Sequence, residues 1–137
     1  MKIVIDRLSP PSLEVLQSIA ANQVKLLPPI FYPHVQGLVI RVDEFPDDET
    51  MAELGLESEF DLLGLYRGVA LADKSVINSA TDVDMIFLYR RAILDYWCET
   101  DEDLSHLVRH VLIHEIGHHF GFSDDDMERI ENTPELA

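Results

Sequence analysis

The segment from Thr100 to Gly121 constrains the fold most, because it is apolar on nearly every side of a helix. One row of apolar residues recurs at helical spacing: Leu104, Leu107, Val108 and Val111. Further apolar residues fall on other sides of the same helix: Leu112, Ile113, Ile116 and Phe120. A helix of this kind is enclosed by the fold rather than lying on its surface. We predict that it begins after an N-cap at Thr100 with an acidic first turn.

The same segment contains the pattern His-Glu-x-x-His at His114, Glu115 and His118. Two histidines four residues apart project from one face of a helix, so both imidazoles can bind one metal ion. The glutamate after the first histidine can act as general base towards water at the metal. The pattern therefore predicts a hydrolytic Zn²⁺ site with two ligands and a base.

A catalytic zinc ion normally takes three protein ligands, so the chain must supply one more. Glycine at position 121 can end the helix in a left-handed conformation and bring Asp124 beneath the metal. We predict Asp124 as the third ligand. The run from Ser123 to Asp126 is also typical of a helix start, and four further carboxylates remain alternatives: Asp125, Asp126, Glu128 and Glu131.

Three neighbouring residues are not expected to bind the metal. His119 lies one position from His118 and therefore on another side of the helix. His110 lies four residues before His114, but three collinear histidines give poor tetrahedral geometry, so we place it in the surroundings of the site or on the surface. Gly117 lowers helix stability by about 1 kcal/mol relative to alanine, which predicts a packing reason such as a nearby strand.

Composition favours one domain spanning residues 1–137. The 26 acidic residues against 10 basic ones give a net charge of -16, which disfavours nucleic-acid binding. One cysteine, Cys98, excludes an internal disulfide, and we find no apolar run suited to a signal peptide or membrane span. The expected location is the cytoplasm, without membrane contact. The sequence does not constrain the oligomeric state.

The remaining elements follow from proline, glycine and β-branched residues. We predict a helix from an N-cap at Ser9 to about Asn22, a strand over residues 38–43 and a short helix over residues 47–53 that ends at Gly55. Two further strands are predicted over residues 62–71 and 85–91, separated by a polar loop over residues 72–84. Residues 92–99 are a short helix or turn.

The sequence resembles the small bacterial zincin-like metallopeptidases, or minimal zincins. The resemblance rests on His114 to Gly121 with Asp124, and on residues 62–68 and 86–91, and it extends from about Leu38 onward. It implies an α+β fold in which a small mixed β-sheet packs against a central metal-site helix. It also implies a bacterial cytoplasmic protein with peptidase activity. Asp124 is similar to the family's acidic third position, where larger metzincins have histidine.

Three functions fit these residues. The first is a zinc-dependent metallopeptidase that acts on a peptide or protein substrate, with Glu115 as general base. The second is a non-catalytic metal-binding or protein-interaction module on the same fold. The third is hydrolysis of another substrate such as RNA, against which the acidic charge and Glu115 both count.

Two parts of a peptidase site stay open in the sequence. The oxyanion donor has candidates by residue type only: Tyr66, Tyr89, Tyr96 and Arg90. In zincins a substrate peptide lies along an exposed sheet edge, but the sequence does not indicate which strand forms that edge.

Overall fold

The computed structural model of the chain describes residues 9–68 and 83–132. Within them, three strands form one mixed sheet: β1 (Val39–Asp43), β2 (Gly64–Arg67) and β3 (Met85–Tyr89). The strand order is β1-β3-β2, with β1 parallel and β2 antiparallel to the central β3. The predicted α+β fold with a small mixed sheet is confirmed.

Six α-helices accompany the sheet in the described residues. They are α1 (Leu13–Lys25), α2 (Tyr32–Val35), α3 (Asp48–Leu54), α4 (Arg90–Glu99), α5 (Leu104–His119) and α6 (Asp124–Glu131), and a 3₁₀ turn over Pro29–Phe31 precedes α2. None of these helices is long and apolar enough to cross a membrane.

Helices α1 and α5 pack against each other and against one face of the sheet. Leu16 and Ile19 of α1 meet Ile86 and Leu88 of β3 in the core. Nine positions of α5 are buried: Leu104, Leu107, Val108, Arg109, Val111, Leu112, Ile113, Ile116 and Gly117. The predicted enclosure of this helix is confirmed, and α5 is the central element of the fold.

Helix α3 meets the other face of the sheet. Alternate residues of a strand point to opposite faces, so Arg67 points away from α5 when Tyr66 points towards it. The Arg67 guanidinium donates hydrogen bonds to Thr50 at 3.1 Å and to Glu53 at 2.9 Å, both on α3. Helix α3 ends at Gly55, as predicted, where the glycine takes a left-handed conformation, and Asp47 caps its start.

The predicted starts of α1 and α5 were each three residues too early. Ser12, not Ser9, caps α1 and accepts the Val15 N–H at 3.1 Å. Proline at position 11 disfavours helical backbone at position 10, so the helix forms only after both prolines. Asp103, not Thr100, caps α5: the Asp103 side chain accepts the His106 N–H, whereas the Thr100 hydroxyl donates to the Trp97 carbonyl at the end of α4.

The predicted strands were longer than those observed. Strand β2 occupies Gly64–Arg67, and residues 69–71 of the prediction lie outside the described residues, as does most of the predicted loop. Strand β3 ends at Tyr89 because Arg90 begins α4. The Arg90 side chain holds this junction by donating to the Pro11 carbonyl at 2.7 Å and to Glu44 at 2.9 Å.

Candidate metal centre

A tight turn after α5 reverses the chain and starts α6. Gly121 has φ 80°, the left-handed conformation predicted for it. The Phe122 N–H donates to the Gly117 carbonyl at 2.8 Å and the Gly121 N–H to the His118 carbonyl at 3.3 Å, which is the hydrogen-bond pattern of a Schellman motif. Ser123 then caps α6 in a capping box with Asp126. These local signals direct α6 back along α5.

Gly117 permits close contact between the two helices. A Cβ atom at this position would lie 2.4 Å from the Met127 sulfur and 2.9 Å from its Cγ. The packing reason predicted for this glycine therefore exists, but the close neighbour is helix α6 rather than a strand.

A buried arginine fixes the far end of α6. The Arg109 guanidinium donates to the Glu131 carbonyl at 3.0 Å and to the Ile130 carbonyl at 3.3 Å. Last-turn carbonyls lack partners within their own helix, so a charged donor stabilises the helix end. Both ends of α6 are thereby held against α5.

Three histidines of α5 lie in a row along the side that meets α6. The ring centroids of His110 and His114 are 4.2 Å apart, and those of His114 and His118 are 5.7 Å apart. The two carboxylates that α6 brings to this row are Asp124 at one end and Glu131 at the other. Along the seam, which is the contact between α5 and α6, histidines of α5 therefore face carboxylates of α6 over two helical turns.

The predicted ligand Asp124 contacts only one of the two predicted histidines. Its Oδ1 lies 3.7 Å from His118 Nε2, and the side chains of His118 and Asp124 are 59% and 92% exposed. Asp124 is the first residue of α6 and belongs to the acidic first turn of that helix, which is the alternative role that the sequence offered for it. The structure thus brings Asp124 beside the His-Glu-x-x-His motif without closing a three-residue cluster.

Glu131 lies closest to His114. Its Oε1 is 3.2 Å from His114 Nε2 and 2.5 Å from His110 Nδ1. One donor atom from each of these three residues lies within 4.8 Å of the other two. Burial is the main cause of the lowered pKa of His114, and the neighbouring charge of His110 adds to it. A lower pKa favours the neutral imidazole that binds metal.

The sequence interpretation left His110 out of the site and gave Glu131 only as an alternative ligand. Two signals in the sequence could have found this cluster. His110 is one turn before His114, and Glu131 follows Asp124 by seven residues, which places both carboxylates on the same face of α6. Whether Glu131 reaches His110 depends on the direction in which α6 runs back along α5. The spacing of residues in the sequence does not predict that direction.

Glu115 contacts β2 and also lies near His118. Its carboxylate accepts a hydrogen bond from the Tyr66 backbone N–H, and burial raises the pKa of Glu115 against the opposing effects of that bond and of His118. The Tyr89 N–H donates to the Leu63 carbonyl at 3.0 Å. In this antiparallel register, Gly64 and Tyr66 therefore direct their backbone groups away from β3, to the open edge of the described sheet.

His119 lies on another side of α5 from the row of three histidines, as predicted. Its ring stacks on Tyr66, with centroids 4.0 Å apart and an angle of 21° between the planes. Of the candidate oxyanion donors, Tyr66 is the one that contacts the end of α5, and its pKa is raised mainly by burial. Tyr89 lines a cavity next to α3, and burial raises its pKa to about 12. The Arg90 side chain donates a hydrogen bond to the Pro11 carbonyl at the start of α4.

The donor set fits zinc. Imidazole nitrogens and carboxylate oxygens are its usual protein ligands besides thiolate, and both predicted histidines have a carboxylate within 4 Å. The buried Glu131 Oε1 has no hydrogen-bond donor among the described residues, although two ring nitrogens lie beside it. An oxygen in that position is suited to accept a cation.

Comparison with known proteins identifies one family. No curated protein matches the chain. A family model described as zincin-like metallopeptidase matches residues 35–133, which is more than half of the chain and includes β1 to α6 with the complete motif. The chain therefore belongs to the zincin-like metallopeptidase family.

Proposed function

We propose that this protein is a zinc-dependent peptidase in which His114, His118 and Asp124 hold the metal and Glu115 is the general base. The position of Glu115 supports this proposal most directly. Glu115 lies between the two histidines in the sequence of the motif, and its carboxylate accepts a hydrogen bond from the backbone of strand β2. Zinc, when bound, supplies a Lewis acid that polarises a carbonyl group and makes water more acidic.

Glu115 is positioned to take and return a proton. Burial raises its pKa, which strengthens the carboxylate as a base, while the Tyr66 N–H restricts its orientation. In this role Glu115 accepts the proton of the attacking water and delivers it to the leaving amine. A glutamine at this position keeps the shape and the bond from Tyr66 but cannot accept the proton.

Within residues 9–68 and 83–132, the outer edge of β2 is open and gives a substrate peptide a place to bind. Backbone groups of Gly64 and Tyr66 point to this edge, and an extended peptide can add to it by backbone hydrogen bonds. The Tyr66 N–H is bonded to Glu115, so among the described residues the carbonyl groups and the Gly64 N–H are the groups that we propose for the peptide. A peptide bound here runs beside Glu115, which places its carbonyl groups near the base and the histidines.

A peptide or protein is the substrate class that we propose, rather than a nucleic acid. The 26 acidic residues against 10 basic ones repel a phosphate backbone and attract cationic partners. Peptides with basic residues are therefore the first substrates to test.

Glu115→Gln tests the proposed mechanism. We expect the variant to retain zinc, measured by elemental analysis, and to lose turnover of a peptide library by about 10²–10⁴-fold, the usual contribution of a general base. Glu99→Gln is the matched control, because it makes the same change at an exposed position of α4. The alternative function, a non-catalytic metal module, would be supported if wild type and Glu115→Gln both retain zinc and neither cleaves any peptide.

A further inference from the structure

A carboxylate oxygen lies between two histidines at the end of the seam away from Asp124. Glu131 Oε1 is 2.5 Å from His110 Nδ1 and 3.2 Å from His114 Nε2, and it is buried without a hydrogen-bond donor among the described residues. A negative oxygen at these distances from two imidazole nitrogens requires a proton or a cation between them. The proposed catalytic site uses neither His110 nor Glu131.

The backbone around this oxygen is held in place. Arg109 is only 5% exposed and bonds to the carbonyl groups of Ile130 and Glu131. The capping box at Ser123 fixes the opposite end of α6. Because α6 is fixed at both ends, the Glu131 carboxylate is presented to α5 in a defined position, as metal ligands need to be.

We propose that His110, His114 and Glu131 form a second divalent-metal site, which shares His114 with the proposed catalytic site. Zinc binds imidazole nitrogen and carboxylate oxygen at about 2.0–2.2 Å, so tetrahedral ligand atoms lie about 3.3–3.6 Å apart. His114 Nε2 and Glu131 Oε1 are 3.2 Å apart, close to this spacing. His110 is about half exposed, so its ring can move outward by the fraction of an ångström that its shorter contact needs.

The shared histidine couples the two sites. One imidazole nitrogen binds one metal ion, so an ion that uses His114 Nε2 at the second site withdraws this ligand from His118 and Asp124. This coupling rests on the proposed catalytic ligands. When zinc is in excess, a second ion can take His114 while the first ion keeps only His118 and Asp124. We therefore expect excess zinc to lower peptidase activity.

Metal titration of a chain without the first site tests the proposal. His118→Ala removes a ligand that is 59% exposed, so the fold should persist, which helical circular dichroism checks. We expect this variant still to bind one Zn²⁺ per chain by calorimetry. Adding His110→Asn or Glu131→Gln should weaken that binding by at least about tenfold, and adding Glu99→Gln on α4 should not.

The proposal is overturned if folded His118→Ala binds no zinc, or if neither added substitution weakens the binding. Should His118→Ala not fold, Asp124→Asn replaces it, because that side chain is 92% exposed.

Activity provides an independent readout. Wild type should lose turnover when Zn²⁺ is raised above one ion per chain, whereas the activity of His110→Asn should not depend on this excess. Equal zinc inhibition of both proteins contradicts the shared-histidine coupling. Failure of the peptidase proposal would appear differently, as a wild type that cleaves nothing while His118→Ala still binds zinc.

Discussion

Asp124 and Glu131 differ in what each carboxylate can do for the histidines. Asp124 is almost fully exposed and 3.7 Å from His118, so its side chain can rotate towards an ion at the motif. Glu131 is largely buried and already 3.2 Å from His114. We assign Asp124 to the catalytic metal because it lies beside His118, and Glu131 to the second site because it lies beside His110.

Asp124→Asn should therefore weaken the tightest zinc binding of the wild type. Loss of a direct ligand costs more than the roughly 10–100-fold in affinity that loss of an outer-sphere partner costs. The measurement is competition for Zn²⁺ with a chromogenic chelator, and Asp95→Asn at an exposed position of α4 is the control. If Glu131→Gln removes the tight ion and activity while Asp124→Asn retains both, Glu131 is the third catalytic ligand.

The sequence predicts part of this site because part of it depends only on helix geometry. His114, Glu115 and His118 belong to one helix, so their spacing fixes their relative directions. The position of Asp124 follows from the same helix and from the turn at Gly121 that ends it. The meeting of His110 with Glu131 depends on two helices packing over several turns, which no short-range spacing specifies.

Helices α5 and α6 meet where Gly117 faces the fully buried Met127. Gly117→Ala gains about 1 kcal/mol of helix propensity. The new Cβ would lie 2.4 Å from the Met127 sulfur, and overpacking of this kind costs about 1–3 kcal/mol. We expect a net loss of about 1 kcal/mol in the free energy of unfolding, measured by urea denaturation of metal-free protein.

The sign of this effect should reverse when Met127 is shortened. In a Met127→Ala background the new methyl group no longer clashes, so Gly117→Ala should stabilise the protein through helix propensity. An equal loss in both backgrounds would show that contact with Met127 is not the cause.

Boundaries of the elements were harder to predict than the elements themselves. The strand at Val39–Asp43 and the helix over Asp48–Leu54 were predicted closely, because β-branched residues, an aspartate cap and a terminal glycine all indicate the same limits. Helices α1 and α5 each follow several residues that can cap a helix. Local propensity does not choose among such residues; prolines and the end of the preceding helix do.

The charge of the whole molecule opposes its compact state. With a net charge of -16, carboxylates repel one another over the surface, and salt screens this repulsion as the Debye length falls from about 30 Å at 0.01 M to about 8 Å at 0.15 M. Salt also weakens ion pairs such as Arg41–Asp43 and Arg67–Glu53, but exposed pairs of this kind contribute little to stability.

The repulsion therefore dominates the response to salt. We expect the melting temperature of metal-free protein to rise by several degrees as NaCl increases from about 0.01 M to 0.15 M, and to rise little beyond that range. Choline chloride should act like NaCl, since screening depends on ionic strength rather than on a bound sodium ion. A melting temperature that stays constant or falls over this range would mean that ion pairs outweigh the repulsion among the 26 acidic side chains.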